Sequence, residues 1–424
     1  MQTDKHSRRN FIKKAAVGAV GIATLSARSY DNILGANDRI NIAIVGLNGR
    51  GQGHIRAVAN IKNVTIKALC DVDSRVLTKS VETVNKWTGA SPKTFGDIRK
   101  LLQEKDLDAI TIATPDHWHT PMAMMAMQAG KHVYLEKPCT FNAQEGEWLV
   151  QSKNKHGKVL QIGNQQRSAP TSIQGIEDIK NGIIGDVYFG KAWYANTRGT
   201  IGAGKKVMVP KWLDWEMWQG PAPKRAFSNV LCPVDVHRHF PQWRRYQEYA
   251  GGSLSDMGAH HFDIAKWAMD LDETTPVEII PPKEGNGGLR LIYGNGVELI
   301  HESTSDRFKD CVFYGSEGTL FVARGGISAD PKIAVNSAFG KNDWRLPDIG
   351  KSHRRNWIDC IRSRKKPVAD VSYGAHTSIV CSLANIGYRL RRELNWNPDN
   401  YRFGGDKEAN ALANRAGRGE WKYT

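Results

Sequence analysis

The chain has 424 residues, more than one compact core usually spans, so two domains are expected. With 40% hydrophobic and 24% charged residues, its composition is that of an ordinary globular protein. After the N-terminus no uncharged apolar run reaches the ~18 residues that a spanning helix needs. We therefore expect no transmembrane span apart from a leader that could remain uncleaved.

The formal net charge of +16 does not indicate a nucleic-acid partner. Six basic residues and one acidic residue lie within residues 1–30, and the remaining excess is scattered along the chain. We interpret it as a solvated surface. Because the cysteines show no CxxC spacing, we expect no disulfide framework and mostly small buried side chains. They are Cys70, Cys139, Cys232, Cys311, Cys360 and Cys381.

Residues 1–37 have the pattern of an export leader. The segment Ser7–Lys13 contains the adjacent arginines Arg8 and Arg9, and the weakly apolar stretch Ala15–Leu25 follows. This order is typical of a twin-arginine signal. Since that pathway carries folded proteins, a cytoplasmic cofactor would be bound before transport. We predict export to the periplasm, with a disordered basic tail as the alternative.

A strand, a glycine turn and a helix open the first domain. The β-branched run Ile40–Val45 predicts a buried parallel strand, and His54–Ile61 is able to form a helix. Glycines between the two let a pyrophosphate approach the backbone at the helix N-terminus. Asn48 occupies the place of the usual middle glycine. The predicted phosphate-binding positions are Gly46, Asn48, Gly49, Arg50 and Gly51.

The second predicted strand, Thr65–Cys70, ends in Asp71. A carboxylate at this position is expected to meet the adenosine ribose hydroxyls and to repel the extra phosphate of NADP. We therefore predict NAD as the cofactor, although an arginine nearby, Arg75, would favour NADP. A tight structural turn with a solvent-facing Asp71 is the alternative.

Two further strands, Ala109–Ala113 and His132–Leu135, should end beside the nicotinamide. Helices Pro121–Ala129 and Ala143–His156 fit the crossovers, and Val159–Gly163 can close the sheet. Ligands in open α/β sheets gather at the carboxyl ends of the strands. We therefore predict cofactor contacts from the residues at these ends. They are Thr114, Pro115, His119, Glu136 and Lys137.

The motif Glu136-Lys137-Pro138, taken with the glycine turn and Ala113-Thr114-Pro115, resembles the Gfo/Idh/MocA family of glucose–fructose oxidoreductase, inositol dehydrogenase and rhizopine-catabolism proteins. The resemblance runs from about Ile40 to Trp396 and includes Gly251–His260. In that family an Asp-x-x-x-His pair faces the nicotinamide together with the lysine. Asp256, His260 and Lys137 match that pattern, and the segment at Gln165-Gln166-Arg167 resembles an exported branch.

The resemblance implies an α/β fold with an N-terminal Rossmann dinucleotide-binding domain and a C-terminal α/β domain with an open, mainly antiparallel sheet. We divide the chain into a leader (1–37), an NAD-binding domain (38–165), a substrate-binding and oligomerisation domain (166–400) and a tail (401–424). A homo-oligomer, dimer or tetramer, is implied. The expected strands of the second sheet are Val187–Trp193, Val277–Ile280, Gly288–Tyr293, Val297–Glu302 and Gly318–Ala323.

Three residues are candidates for catalysis of alcohol oxidation. Histidine titrates near neutrality, so His260 is the expected acid/base. Asp256, four residues earlier, would orient the imidazole or hold a substrate hydroxyl. Lys137 would stabilise developing alkoxide charge. Taken singly, these residues also fit a helix N-cap, a core histidine and a surface charge.

Further substrate contacts are predicted for Arg167, His261 and Trp193, with a structural ion pair equally consistent for Arg167 and a structural role for His261. Most of the aromatic residues between 190 and 250 fit a core or a subunit interface, and one or two fit sugar contacts. His117 and His119 fit either the nicotinamide pocket or a surface loop. His237 and His239, even with His260 and His261, lack acidic or thiol ligands at a metal-site spacing, so no metal is predicted.

The predicted function is NAD(H)-dependent hydride transfer at a ring hydroxyl or ketone of a sugar, glycoside or cyclitol. One alternative is an NAD-dependent glycosidase that oxidises transiently, eliminates the aglycone, adds water and reduces again, with His117 or His119 as a candidate elimination base. The other is a non-catalytic, cofactor-bound sugar-binding protein.

Overall fold

The computed structural model describes residues 39–194, 204–231, 235–237, 242–302, 311–331, 340, 342–348, 352–415 and 417–421. The predicted leader, Cys232 and His239 lie outside the described residues. The described part forms two sheets with helices packed against them.

The first sheet is entirely parallel and has the strand order β3-β2-β1-β4-β5-β6. Its apolar strands are buried on both faces, as expected for a parallel sheet covered by helices. This confirms the predicted Rossmann domain. The strands are β1 Ile40–Val45, β2 Val64–Cys70, β3 Lys93–Phe95, β4 Ala109–Ile112, β5 His132–Leu135 and β6 Leu160–Ile162.

The helices of this domain are α1 Arg50–Ala59, α2 Ser74–Thr88, α3 Ile98–Leu101, α4 Asp116–Gln128 and α5 Ala143–His156. Helix α4 begins five residues before the predicted start at Pro121, which lies inside it. A proline inside a helix leaves the carbonyl four residues earlier without its usual donor. Here the guanidinium of Arg415 donates to that carbonyl, on His117, at 3.2 Å.

The second sheet has eight strands in the order β13-β12-β11-β7-β10-β9-β8-β14, and only β7 and β10 pair in parallel. It confirms the predicted open, mainly antiparallel sheet. Strands β11, β13 and β14 were not predicted. The strands are β7 Val187–Ala192, β8 Glu278–Ile280, β9 Leu289–Ile292, β10 Glu298–His301, β11 Cys311–Gly315, β12 Thr319–Ala323, β13 Gly326–Asp330 and β14 Leu394–Asn395.

Helices cover one face of this sheet. Gly190 of β7 faces Met269, and a β-carbon on Gly387 would lie 2.8 Å from Ile279, so the helices pack closely on the strands. The remaining helices of the chain, not all of which lie on this sheet, are α6 Pro170–Lys180, α7 Trp215–Gln219, α8 Gly252–Asp256, α9 Gly258–Ala268, α10 His353–Ser363, α11 Val371–Leu390 and α12 Lys407–Ala413. Short 3-10 turns cover Gln165–Ser168, Gln242–Arg245 and Gly419–Trp421.

Helix α10 returns to the first sheet. Its Trp357 is fully buried, and its ring centroid lies 5.6 Å from that of Tyr134 on β5. Helix α11 packs on α5, where a β-carbon on Gly146 would meet Ile379 at 2.6 Å. The two sheets are therefore joined by shared packing, which fixes the cleft between them. The five described cysteines are buried and form no disulfide with one another.

Candidate active site

The glycine turn after β1 has room only for glycine at two positions. Gly46 has φ +77°, and a β-carbon there would lie 2.7 Å from the backbone of Ala113. A β-carbon on Gly51 would lie 2.0 Å from the Gly46 carbonyl oxygen. Gly49 precedes helix α1 and provides no side-chain cap, and Gly49 and Arg50 line the cleft at this end of the helix. The turn thus fits a pyrophosphate at a helix N-terminus.

Asn48, in the place of the usual middle glycine, lines the cleft. Its side-chain oxygen accepts a hydrogen bond from the backbone N–H of His237. The departure from the usual glycine fingerprint therefore ties the turn to a segment almost 190 residues later.

Asp71 lies at the end of β2 and lines the same cleft. Its carboxylate accepts hydrogen bonds from the N–H groups of Leu47, at 2.7 Å, and Asp73, at 3.0 Å. Burial raises its pKa to about 6. The side chain is therefore bound to the glycine turn and lines the ribose side of the cleft, which disfavours the solvent-facing alternative.

Arg75 does not point at the ribose position. Its guanidinium donates to Asp73 at 2.8 Å and lies over the ring of Trp212, 3.3 Å from the centroid. Because its guanidinium is engaged by the Asp73 carboxylate and by the Trp212 ring, Arg75 is a poor partner for the 2′-phosphate of NADP. The arrangement favours NAD.

A segment of the second domain, residues 211–218, covers the adenosine side of the cleft. The N–H of Ser74 donates to the Trp212 carbonyl at 3.0 Å, and the N–H of Asp214 donates to the Val72 carbonyl at 3.1 Å. The cleft is thus bordered by the Rossmann turn on one side and by this cover segment on the other. Its lining from the second domain consists of Leu213, Met217, Trp218, Trp243 and Arg244. The sequence did not predict this cover.

Thr114 and Pro115 line the cleft as predicted from the end of β4, but the two histidines that follow face inward. The His119 ring lies between two backbone carbonyls, with Nδ1 2.6 Å from Pro138 and Nε2 2.9 Å from Thr114. His117 Nε2 bonds to the Trp218 carbonyl at 3.0 Å. Burial lowers the pKa of both imidazoles, that of His117 to about 3. Both residues are positioned as buried supports.

Glu136 is buried behind the cleft. Its carboxylate accepts hydrogen bonds from Arg50, at 2.7 Å, and from His54, at 2.9 Å, and a β-carbon on Gly163 would overlap it. Burial alone would raise its pKa, but the surrounding basic groups, Arg50, His54 and Arg354, hold it well below the usual range. Arg50 and Glu136 were both predicted as cofactor contacts. Arg50 lines the cleft, whereas Glu136 lies behind Arg50 and orients it.

Lys137 and Asp256 form a nearly buried ion pair. The lysine Nζ lies 2.6 Å from the Asp256 carboxylate and 2.6 Å from its backbone carbonyl, and both side chains are less than 15% exposed. Asp256 ends helix α8, and Met257 occupies the capping position of α9, so Asp256 is not a helix N-cap. Lys137 is not a surface charge either, because its side chain is only 12% exposed.

Arg244 is a second cation on Asp256, with Nε 3.2 Å from the other carboxylate oxygen. Burial works against ionisation, but the two cations, Lys137 and Arg244, hold the pKa of Asp256 below its usual range. The carboxylate was expected to orient His260 or hold substrate; the contacts found hold Lys137 and Arg244 instead. Arg244 also lines the cofactor cleft, which joins the ion pair to the cofactor site.

His260 lies in the first turn of α9 and is 6% exposed. Among the described residues, its Nδ1 has no hydrogen-bond partner. Burial, together with the charges of Lys137 and Arg324, lowers its pKa well below the usual range. The expectation that this histidine titrates near neutrality is therefore wrong, because a buried imidazolium beside a lysine is disfavoured. His260 is neutral at physiological pH.

A carboxylate that the sequence analysis did not single out lies beside this ion pair. Asp116 is the first residue of helix α4 and is 4% exposed. Burial and the negative charge of Asp256 raise its pKa to about 7. The cations Arg244 and Lys137 act in the opposite direction without outweighing burial.

Arg167 lies in the protein interior rather than at the cleft. It is 1% exposed, and its guanidinium forms ion pairs with Asp263 at 2.9 Å and Asp272 at 2.5 Å. A sugar cannot reach a guanidinium enclosed in this way, so the structural ion pair, not the substrate contact, describes Arg167. Its partner Asp263 is fully buried.

His261 and Trp193 contact each other. His261 Nδ1 bonds to the Trp193 carbonyl, and the Trp193 ring stacks on His301 with centroids 4.8 Å apart. His261 is 3% exposed and its Nδ1 is bonded to this backbone carbonyl, so the structural role describes it better than the substrate contact. Most aromatic residues of the following segment form a separate hydrophobic cluster, as the core interpretation predicted.

No group of three or more His, Cys, Asp or Glu side chains in the described part of the chain could hold a metal ion. Within the same residues, no helix combines the length and hydrophobicity needed to cross a membrane.

Comparison with protein families assigns both domains. Residues 40–164 match the model described as "Oxidoreductase family, NAD-binding Rossmann fold", and residues 186–423 match "Oxidoreductase family, C-terminal alpha/beta domain". The chain belongs to the Gfo/Idh/MocA oxidoreductase family. Its first domain is an NAD-binding Rossmann domain, in agreement with the geometry of the glycine turn and Asp71, and NAD is the cofactor.

Similar proteins of this family include a glycosyl hydrolase family 109 protein of Shewanella pealeana, 28% identical, with 89% of this chain and 92% of the relative aligned. A second protein of that name, from Shewanella sp. strain ANA-3, is 28% identical, with 90% and 94% aligned.

Among solved structures, the WlbA dehydrogenase from Bordetella pertussis, in complex with NADH and UDP-GlcNAcA, superposes with a TM-score of 0.58. It is 18% identical, and the match covers 85% of this chain and 99% of that one. The aldose-aldose oxidoreductase from Caulobacter crescentus gives 0.57, with 18% identity and coverage of 84% and 99%. These likenesses establish the fold.

Proposed function

We propose that this protein catalyses NAD-dependent hydride transfer at a ring hydroxyl of a sugar, glycoside or cyclitol. The observation that carries the proposal is the ion pair of Lys137 and Asp256, joined through Arg244 to the lining of the cofactor cleft. A nearly buried ammonium, fixed at a cofactor site, is the group that stabilises a developing alkoxide.

Bound NAD would supply the acceptor for the hydride of the carbinol carbon. The chain's own residues handle the charge and the proton. Lys137 directs its remaining N–H at the substrate oxygen, and Asp256 keeps this lysine in place. His260, neutral and without a partner for Nδ1 among the described residues, offers a lone pair or an N–H to the hydroxyl.

The test is a panel of sugars, glycosides and cyclitols added to NAD-loaded protein while reduction of the nicotinamide is followed by its absorbance. We expect reduction with at least one compound and its loss in Lys137→Ala. No reduction with any of them, in protein that retains bound NAD, would contradict the proposal.

Glycoside cleavage by transient oxidation is the second candidate, because the similar proteins quoted above are named glycosyl hydrolase family 109 proteins and align over about nine tenths of the chain. The earlier candidates for the elimination base, His117 and His119, are buried against backbone carbonyls, so another group would be needed. Release of aglycone without net NADH formation would favour this candidate. NADH accumulation matching sugar oxidation would favour the dehydrogenase.

Self-association is proposed from the open face of the second sheet. This face carries partly buried apolar side chains. Phe189 on β7 lies opposite Tyr314 on β11, and the centroids of their stacked rings are 4.2 Å apart. Phe321 and Ile300 lie on the same face by register. We propose that a second copy covers it in a dimer or tetramer. Light scattering should give at least twice the monomer mass, and Phe189→Glu should reduce it.

Export by the twin-arginine pathway remains our proposal for localisation, on the Arg8-Arg9 motif alone. In Arg8→Lys plus Arg9→Lys, NAD-loaded protein should stay in the cytoplasm. Unchanged export of the double variant would reject this pathway.

A further inference from the structure

Asp116 occupies a position that the proposed hydride transfer has not yet used. It follows Thr114 and Pro115, which line the cofactor cleft, and begins helix α4. The backbone N–H of Gly251 hydrogen bonds to its carboxyl group. Its Oδ2 is buried and has no hydrogen-bond partner within the described residues.

Asp116 and Asp256 are two neighbouring carboxyl groups with different surroundings. Asp256 is neutralised by Lys137 and Arg244 at 2.6 and 3.2 Å, whereas no ion pair to Asp116 is found among the described residues. Two buried carboxylates that interact cannot both ionise easily. Asp256 therefore keeps its charge, and Asp116 is the member of the pair that exchanges a proton.

We propose that Asp116 is a further acid/base residue of this site and accepts the hydroxyl proton of the substrate. In the oxidation, the carbinol C–H bond breaks with its electron pair passing to NAD, and the O–H bond breaks with its proton passing to Asp116 Oδ2. The oxygen electron pair then completes the C=O bond. In ketone reduction, the same carboxyl returns the proton. This inference rests on the proposed hydride transfer.

The surroundings also explain why Asp116, rather than the other titratable groups, suits this task. His260 disfavours a proton near neutrality because it is buried and lies near Lys137, and Asp256 disfavours one because Lys137 and Arg244 outweigh the effect of its burial. A group whose pKa is near the working pH transfers protons in both directions. Two neighbouring titratable groups whose pKa values differ in this way commonly supply the acid and the base of a reaction.

The experiment compares wild type with Asp116→Asn, using the sugar that reduces bound NAD and the corresponding ketone. In wild type, the oxidation rate should rise and the reduction rate should fall as the pH passes about 7, because oxidation needs the carboxylate and reduction needs the acid. Asp116→Asn should lower both rates by about 100-fold and remove both pH dependences.

Asp178→Asn is the matched control. This side chain is also a buried carboxylate, on helix α6, and it accepts a hydrogen bond from Gln174. The control variant should keep the wild-type rates and pH profiles. If Asp116→Asn keeps the profiles as well, the proposal is overturned.

A second measurement needs neither turnover nor the folding of the asparagine variant. Infrared difference spectra of the NAD-bound protein should contain a protonated-carboxyl band that titrates near pH 7, and Asp116→Glu should shift it. Asp71 contributes its own band, which Asp71→Asn removes. Absence of any band that responds to Asp116→Glu overturns the assignment. If no sugar reduces NAD but this band is present, the hydride-transfer proposal fails while the protonation of Asp116 stands.

Discussion

Lys137 Nζ donates to both the carboxylate and the backbone carbonyl of Asp256, each at 2.6 Å, across 119 residues of sequence. Two of its three N–H bonds are thus used by one residue, and the third remains for a substrate oxygen. A single orientation of the ammonium follows. Asp256 positions the lysine, whereas the proton of the reaction has to be carried by another group.

The first prediction concerns the roles of Lys137 and His260 in the reaction. Lys137→Ala and His260→Ala should each lower single-turnover reduction of bound NAD by about 100-fold, because each variant removes a group that hydrogen bonds to the substrate oxygen and stabilises its developing charge. Neither residue contacts the glycine turn, so NAD binding should be unchanged in a direct titration. The losses need not multiply, because both groups act at the same oxygen. Full activity in folded His260→Ala would exclude this histidine from the chemistry.

The second prediction concerns cofactor choice. The protein should bind NAD in strong preference to NADP, and Asp71→Ser should weaken NAD binding and narrow the preference, because its carboxylate lies on the ribose side of the cleft. Arg75→Ala is the matched variant. Since Arg75 is engaged with Asp73 and Trp212, its removal should leave the ratio of the two affinities nearly unchanged. Equal affinity of wild type for both cofactors, measured by titration, contradicts this placement of Asp71.

The third prediction addresses the cover segment 211–218. Trp212→Ala removes the ring under Arg75, and a lost cation–π contact of about 1 kcal/mol should speed NAD dissociation by up to about fivefold. Trp87→Ala is the control, since Arg56 lies over that ring, 5.6 Å from its centroid, at an exposed site outside the cleft. Stopped-flow displacement of NAD measures both. Equal release rates in the two variants would show that the cover does not retain the cofactor.

Local sequence was sufficient for the first domain because its signals are local. The β-branched run Ile40–Val45, the glycine turn and Asp71 lie within about 30 residues of one another, and each requires a particular backbone geometry. Two of the missed strands, β3 of the first sheet and β14 of the second, lack such signals. Strand β3 has three residues and β14 has two, and each is a strand only because a neighbouring strand bonds to it.

The site was less predictable because its contacts are distant in sequence. Lys137 and Asp256 were singled out through a family resemblance, and spacing alone could not have paired them. Arg167 was misassigned because its partner Asp263 lies 96 residues away. Asp116 had a usable signal, a carboxylate one residue after Thr114-Pro115 at a strand end. Arg244 had none, since it lies in a short 3-10 turn.

The fourth prediction concerns the buried carboxylate of Glu136. Its pKa is depressed by Arg50, His54 and Arg354, so the ionised form stabilises the fold above the ordinary glutamate pKa, and this stabilisation is lost as the pH falls below that value. Glu136→Gln should cost about 3 kcal/mol near pH 7, because basic groups are left without their buried partner. The difference from wild type should shrink in acid. Denaturant unfolding at several pH values measures it, and a pH-independent difference would mean that the loss comes from packing against Gly163 rather than from charge.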